Sequence, residues 1–198
     1  MQELRFQQPP AKYWFGSDFH FGHNNIIDFM KRPYATIEEH DAGLVATWNK
    51  YVAPWDIVYV IGDFSFLRPE RTTAILKQLN GQKNLVRGNH DHTKDLASQD
   101  GWNRVIHYHE QRMDSDRIIL SHFPIMSWHQ MHRGAYHLHG HSHGQMNYPG
   151  QLGQTRIMDV GVDNIAKLTG EYRPMEWTEI KELLSARLPR FHGDYQRP

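Results

Sequence analysis

The chain contains no cysteine, no long apolar run and no excess of either charge. The absence of cysteine excludes disulfides, thiolate metal sites and a cysteine nucleophile, so any metal must be held by nitrogen and oxygen atoms. Lys plus Arg and Asp plus Glu each number 22, so no global positive field favours binding of polymeric nucleic acid. Residues 1–11 lack the basic start and the apolar core of a secretory signal, and no apolar run approaches the roughly 18 residues of a membrane span. We therefore expect a cytoplasmic protein with no membrane segment.

Histidine, by contrast, is abundant, with 15 residues among 198. The histidines are dispersed among apolar residues and glycines instead of forming a terminal run, which favours sites built into the fold. The length fits one folding unit, since domains typically span about 50 to 250 residues. No linker rich in Gly or Pro divides the chain, and we expect a single domain over residues 1–198.

Five short polar clusters recur along the chain, and each follows or ends a β-like apolar stretch. Loops that leave the same edge of a sheet converge on one pocket, so the clusters predict a common site. Without thiolates, imidazole and carboxylate groups suit first-row divalent metals, and two such ions about 3.5 to 4 Å apart can activate water and neutralise a phosphate. In chain order the clusters are Asp18-Phe19-His20, Gly62-Asp63, Gly88-Asn89-His90-Asp91, His122, and Gly140-His141-Ser142-His143.

Three of these clusters begin with a glycine that directly precedes a candidate ligand, at positions 62, 88 and 140. A missing Cβ lets the backbone turn sharply and pass close to a metal or a phosphate. We therefore expect these glycines to lie against the site.

The segments between the clusters predict helices alternating with strands. Thr36 and Glu39 form a capping box before an amphipathic helix, and Pro69 begins a second helix between two predicted strands. Later patterns indicate a strand over 156–162, a C-terminal helix over 177–188 and a polar tail over 191–198. This order predicts an α/β layering.

The clusters resemble the signature of the calcineurin-like metallophosphoesterase family, in particular its small bacterial and phage-encoded members, over residues 18–143. The resemblance implies an α/β fold of two packed mixed β-sheets flanked by helices. It also implies two divalent ions, whose identity is left open among manganese, iron, nickel and zinc. The implied ligands are Asp18, His20 and His143 for the first ion, Asn89, His122 and His141 for the second, and Asp63 as the bridge.

The same resemblance implies a mechanism. A hydroxide that bridges the metals attacks phosphorus, His90 protonates the departing oxygen, and Asp91 orients the His90 ring. One position departs from the pattern, because many members carry an Asp or Arg three residues after the bridging Asp, where this chain has Phe66.

Five further residues are candidates for substrate contacts, and each has an alternative role. His23 and Asn24 either contact the scissile phosphate or cap a following helix. Arg87 either pairs with a carboxylate or reaches a phosphate oxygen. Trp128 and Arg133 either stack a base and grip a second phosphate, or belong to a loop that packs its aromatic residues into the core.

The expected reaction is hydrolysis of a small, nucleotide-derived phosphodiester. The alternative within enzymes is a phosphomonoesterase, such as a nucleotidase or a protein phosphatase. A nuclease that acts on polymers is disfavoured by the zero net charge. An alternative of another class is a catalytically inactive scaffold that binds proteins.

Overall fold

A computed structural model describes residues 9–92, 96 and 99–187, in which strands and helices alternate. The strands are β1 (Tyr13–Gly16), β2 (Ile57–Val60), β3 (Gln82–Val86), β4 (Trp102–Ile106), β5 (His109–Met113), β6 (Asp116–Leu120), β7 (Tyr136–His139), β8 (Ile157–Asp159) and β9 (Met175–Glu176). The α-helices are α1 (Asn25–Met30), α2 (Ile37–Tyr51), α3 (Pro69–Gln78), α4 (Val162–Thr169) and α5 (Trp177–Ser185), and two 3₁₀ helices cover Met131–Arg133 and Gly150–Gln154.

The strands form two mixed sheets. The first has the order β4-β3-β2-β1-β9, in which β1 to β4 are parallel and β9 runs antiparallel to β1. The second has the order β5-β6-β7-β8, in which only the β5–β6 pair is antiparallel. The predicted fold, two mixed sheets flanked by helices, is confirmed.

Three groups of buried apolar residues hold these layers together. Phe15 and Tyr59 of the first sheet pack with Ile118 and Tyr136 of the second, and Trp177 of α5 joins them. The other face of the first sheet is covered by α2 and α3, through Leu44, Trp48, Leu76 and neighbouring side chains. The other face of the second sheet is covered by the segment that contains Trp128, together with Leu152.

The helix signals in the sequence are mostly confirmed. Thr36 Oγ1 accepts a hydrogen bond from the Glu39 amide at 3.2 Å, and Pro69 is the first residue of α3. The C-terminal helix is shorter than predicted and ends at Ser185, and the predicted polar tail over 191–198 lies outside the described residues. The predicted strand over 156–162 is also shorter, because helix α4, which the sequence analysis did not predict, begins at Val162.

The two sheets are joined at one edge by the backbone of Ser17. Its amide donates to Val160 O at 2.9 Å, and its carbonyl accepts from the Val162 amide at 3.0 Å. This link lies directly before Asp18, so it fixes the first polar cluster between the sheets. None of the helices among the described residues is long and apolar enough to cross a membrane.

Candidate metal centre

The predicted ligands lie in loops that follow the carboxyl ends of parallel strands from both sheets. Strands β1, β2 and β3 lead into three of the clusters, and β6 and β7 of the second sheet lead into the other two. Ligand sites in open α/β sheets form at this strand end. The residues concerned are Asp18, His20, Asp63 and Asn89 from the first sheet and His122, His141 and His143 from the second.

Asp18, His20 and His143 form the first group. The Nε2 atoms of His20 and His143 lie 3.9 Å and 3.8 Å from Asp18 Oδ1. Nitrogen and oxygen ligands lie about 2.0 to 2.2 Å from an ion, so two of them are about 3 to 4 Å apart. His20 Nε2 is buried and has no hydrogen-bond partner. A buried polar atom without a partner is costly, and a metal ion would satisfy it.

Asn89, His122 and His141 form the second group. Asn89 Oδ1 lies 3.0 Å from His122 Nε2 and 3.0 Å from His141 Nδ1. The other ring nitrogen of His122, Nδ1, donates to the carbonyl oxygen of Ile61 at 2.8 Å. This bond aims Nε2 at the group and leaves it available as a ligand atom.

Asp63 lies between the two groups. Its Oδ2 atom is 3.8 Å from His20 Nε2 and 3.5 Å from His122 Nε2. Its Oδ1 atom accepts a hydrogen bond from the His90 amide at 2.9 Å, which fixes the carboxylate plane. One oxygen of Asp63 therefore adjoins both groups, which is the position that the resemblance implies for a bridging ligand.

The electrostatics of the first group suit a cation. Burial raises the pKa of the Asp18 carboxyl to about 7, although nearby histidines oppose the shift. Burial also lowers the pKa of His20 to about 2, which keeps its imidazole in the neutral form that binds metals. Burial alone would raise the pKa of Asp63, but the adjacent His122 and the hydrogen bond from the His90 amide hold it at about 2. The types of donor atom therefore fit divalent metals.

The backbone is strained at most of the predicted ligands. Left-handed φ angles occur at eight non-glycine residues of the described chain, and five of the eight are predicted ligands. Such conformations cost of order 1 to 3 kcal/mol each and persist where the surrounding structure enforces them. The five ligands are Asp18 (φ 56°), His20 (φ 56°), Asp63 (φ 53°), His141 (φ 67°) and His143 (φ 49°).

All three glycines lie as close to the predicted ligands as expected. A Cβ on Gly62 would lie 2.2 Å from His122 Nδ1. A Cβ on Gly140 would lie 1.9 Å from Ser17 Oγ and 2.5 Å from Asp18 Oδ2. A Cβ on Gly88 would lie 2.2 Å from Asp63 Oδ1. Only glycine leaves room for the carboxylates at these points.

A buried ion pair that the sequence did not predict lies behind the predicted ligands. Asp163 of α4 accepts from His143 Nδ1 at 2.7 Å, which leaves His143 Nε2 facing Asp18. The same carboxylate accepts from Arg32 Nε and Nη2 at 2.9 Å and 2.7 Å, and Arg32 Nη2 also donates to Asp18 O at 2.8 Å. His40 adjoins Arg32 Nη1 at 2.8 Å. No motif links Arg32 and Asp163, which are far apart in the chain.

His90 lies at the edge of the site, with 42% of its side chain exposed, and its Nε2 atom is 3.9 Å from Asp63 Oδ2. The predicted contact between Asp91 and the His90 ring is not among the hydrogen bonds of the described residues. The Asp91 carboxylate instead accepts from the amides of Asp63, Phe64 and Gly88, at 2.8, 3.2 and 2.8 Å. Asp91 therefore joins two ligand loops, and its expected role of orienting His90 must be corrected.

Of the proposed substrate contacts, His23 lies beside the first group. His23 Nδ1 is 3.1 Å from His20 Nδ1. Asn24 occupies the position before α1 but makes no side-chain cap, so a phosphate contact remains a prediction for both.

The other three substrate candidates are held elsewhere or make no contact with the ligands. Arg87 donates to the carbonyl oxygen of Asp91 at 3.0 and 2.8 Å and lies 3.2 Å from His107, and it has no carboxylate partner among the residues that the structure describes. Trp128 is only 7% exposed and donates to Ala135 O at 2.9 Å, which places it in the core and favours the alternative in which it packs there over the one in which it stacks a base. Arg133 is exposed in a 3₁₀ helix.

The fold and the site thus define a two-sheet α/β protein with a candidate metal centre where the sheets meet. The chain is 30% identical over 177 residues to the uncharacterized protein MJ1445 of Methanocaldococcus jannaschii, a match that covers 87% of this chain and 91% of the relative. The chain belongs to the family of MJ1445. It is also 27% identical over 184 residues to the gene 66 protein of Mycobacterium phage L5, covering 78% of this chain and 88% of the relative.

Among solved structures, the protein of unknown function AQ665 from Aquifex aeolicus matches 88% of this chain and 100% of its own, at a TM-score of 0.68 and 26% identity. The phosphoesterase YfcE of E. coli overlaps 67% of this chain and 70% of its own at a TM-score of 0.40 and 18% identity, which is too distant a match to argue from. No protein-family model matches the chain. The activity must therefore be argued from the site.

Proposed function

We propose that this chain is a phosphodiesterase that depends on two divalent metal ions and hydrolyses small, nucleotide-derived phosphodiesters. The observation that carries the proposal is the position of Asp63 Oδ2, which lies 3.8 Å from His20 Nε2 in one ligand group and 3.5 Å from His122 Nε2 in the other. A carboxylate shared between two sets of nitrogen and oxygen ligands is the arrangement that a pair of metals needs.

The first ion would be held by Asp18, His20 and His143, the second by Asn89, His122 and His141, and both by Asp63. When bound, such a pair lowers the pKa of water and neutralises charge on a phosphate. Imidazole, carboxylate and amide ligands accommodate manganese, iron, nickel or zinc.

His90 is proposed as the general acid. It projects from the loop that carries Asn89, its ring is 42% exposed, and its backbone is tied to Asp63 by the 2.9 Å hydrogen bond. A ring that is both anchored and open can meet the leaving oxygen of a substrate. We propose that it donates its proton there.

The burial pattern supports a small substrate that enters from solvent. Asp18, His20, Asp63 and His122 are buried, whereas Asn89, His90 and His141 are exposed. Exposed Phe66 and Phe123 lie beside these groups and offer apolar faces to an organic substituent. The balanced net charge argues against long contacts with a nucleic-acid backbone. A cytoplasmic location is proposed on sequence grounds alone.

The experiment is hydrolysis of bis-nitrophenyl phosphate by purified protein that has been chelated and then supplied with manganese, nickel, zinc or magnesium. We expect activity that a metal restores and that Asp63→Asn lacks, together with loss of both ions from the variant. The monoester nitrophenyl phosphate is assayed in parallel, and a marked preference for it would identify a phosphomonoesterase instead. Absence of turnover with every metal, with no metal retained, would refute an enzymatic role and favour a protein-binding scaffold.

A further inference from the structure

Phe66 occupies an unusual place beside the candidate active site. It lies three residues after Asp63, and its side chain is 40% exposed. Its ring centroid is 4.6 Å from that of His90, with 42° between the planes, and 4.1 Å from that of His23, with 16° between them. It also stacks on His20 at 5.0 Å. One phenyl ring therefore contacts the proposed general acid, a proposed metal ligand and a candidate substrate contact.

Among the described residues, no hydrogen bond fixes the orientation of the His90 ring. Its amide is held by Asp63 Oδ1, but the ring nitrogen Nε2 is 3.9 Å from Asp63 Oδ2, which is too long for a hydrogen bond. The Asp91 carboxylate is occupied by three backbone amides. Among the described residues, the ring contacts of His90 are those with Phe66 and His20.

Phe66 itself is held firmly. Its amide donates to Phe21 O at 2.8 Å, and the preceding residue, Ser65, pairs with Phe21 as a parallel β-bridge. Ser65 Oγ lies 2.9 Å from Thr72 Oγ1 and accepts from the Leu67 amide at 3.1 Å, which ties the loop to α3. A ring on an anchored loop can restrict the side chain that packs on it.

We propose that Phe66 is a positioning residue that holds the His90 imidazole toward Asp63, in the role that sequence reasoning gave to Asp91. Its catalytic consequence rests on the proposed function, whereas its structural consequence does not. An aromatic pair favours its packed arrangement by a factor of about 2 to 12 beyond the effect of area alone. Without the ring, the ratio of molecules in which His90 faces the site to those in which it does not should fall by a similar factor, and the share that faces the site should fall by no more than that.

The kinetic test is a double-mutant cycle between Phe66→Leu and His90→Ala. With a diester that has a poor leaving group, Phe66→Leu should lower kcat by up to about 12-fold with KM little changed, and should have no further effect in the His90→Ala background. Phe66→Tyr keeps the aromatic ring, so its kcat should be close to that of the wild type. Phe123→Leu is the matched control, because Phe123 is 48% exposed and contacts His122 and His141 on the other ligand group. Its effect should be equal in both backgrounds.

The structural test needs no activity. In protein with labelled histidines, the His90 ring protons are assigned from the spectrum of His90→Ala. We expect nuclear Overhauser contacts between the Phe66 and His90 rings, and shifts of the His90 signals in Phe66→Leu that are larger than those in Phe123→Leu. Metal content is measured for each variant, because Phe66 also contacts His20.

The outcomes separate this inference from the proposed function. Equal losses from Phe66→Leu in both backgrounds, or a raised KM as the main effect, would mean that Phe66 contacts substrate and would overturn the inference. Absence of ring contacts and shifts would overturn it whatever the kinetics. A wild-type protein with no turnover under any metal would refute the proposed function, and the spectra alone would then decide the role of Phe66.

Discussion

The buried pair of Arg32 and Asp163 allows a prediction that separates fold stability from metal affinity. We expect Asp163→Asn to weaken both, for two different reasons. The Arg32 side chain is fully buried and its guanidinium lies 2.7 Å from Asp163 Oδ2, so the amide would leave a buried positive charge without its carboxylate. Removing one partner of a buried ion pair typically costs about 3 to 5 kcal/mol in the free energy of unfolding.

The loss of metal affinity follows from the third hydrogen bond. Asp163 accepts from His143 Nδ1 at 2.7 Å and thereby orients Nε2 toward Asp18. Removal of such a partner of a ligating histidine typically lowers metal affinity about 10- to 100-fold. That factor corresponds to about 1.4 to 2.8 kcal/mol, which is less than the expected loss of stability.

Two measurements check the prediction. Urea unfolding of the chelated protein at neutral pH gives the loss of stability, and titration of the chelated protein with manganese or zinc gives the affinity. The matched control is Asp56→Asn, because Asp56 is equally buried and accepts from Trp14 Nε1 and the Lys12 and Ala53 amides at the opposite strand end. The control should lose stability and keep metal affinity. If Asp163→Asn kept full affinity, or if the control lost as much, the proposed orientation of His143 by Asp163 would be wrong.

Three further predictions address the ligands, the general acid and the core. Gly140→Ala should abolish metal uptake, measured by elemental analysis, because its Cβ would lie 1.9 Å from Ser17 Oγ; normal uptake would contradict the packing argument. His90→Ala should keep both ions and lower turnover about 10²- to 10⁴-fold, with a smaller loss for a nitrophenolate leaving group; loss of metal would refute a purely acid role. Burial lowers the pKa of His137 to about 3, and its ring accepts from the Ile125 amide, so the folded protein keeps it neutral. The contribution of the neutral His137 ring to the free energy of unfolding should be complete above pH 6.5 and should decline toward pH 3, by at most about 1.4 kcal/mol per pH unit. Urea unfolding of chelated protein at a series of pH values should show a shallower decline in His137→Asn than in the wild type.

The sequence predicted that the proposed ligands would lie together, but it did not predict the contacts that hold them in place. A ligand that follows a predicted parallel strand must appear at the carboxyl end of that strand, so the clusters after β1, β2 and β3 could only meet at one edge. The joining of the second sheet at this edge, through Ser17, Val160 and Val162, depends on backbone contacts that leave no pattern in the sequence.

Two features of the site could not be predicted for physical reasons. The ion pair of Arg32 and Asp163 joins a loop after α1 to the first turn of α4, and a single Arg or Asp carries no periodic signal. The left-handed backbone at Asp18 and His20 was also unpredictable, because aspartate and histidine prefer other conformations and only the tertiary structure enforces this one.

Asp91 shows why adjacency in a motif is a poor guide to contact. Asp91 follows His90 directly, so a bond between them was the natural expectation, but the chain turns at Gly88 and brings three amides to the Asp91 carboxylate. Burial raises the pKa of Asp91, and those amides favour its charged form and oppose the shift. The carboxylate that stabilises the loop is thus unavailable to the imidazole, and the neighbouring aromatic residue is left as the group that can restrict it.

The proposed metal ligands share features that would destabilise the fold without a cation. Asp18 is a buried carboxyl whose pKa is raised by burial, His20 has a buried nitrogen without a partner, and both stand on strained backbone. Each feature lowers the stability of the fold, and a divalent cation between them would compensate the first two at once. Because a ligand that binds only the folded state stabilises it, the proposed function accounts for the strain at this edge as the cost of keeping the proposed ligands in place before an ion binds.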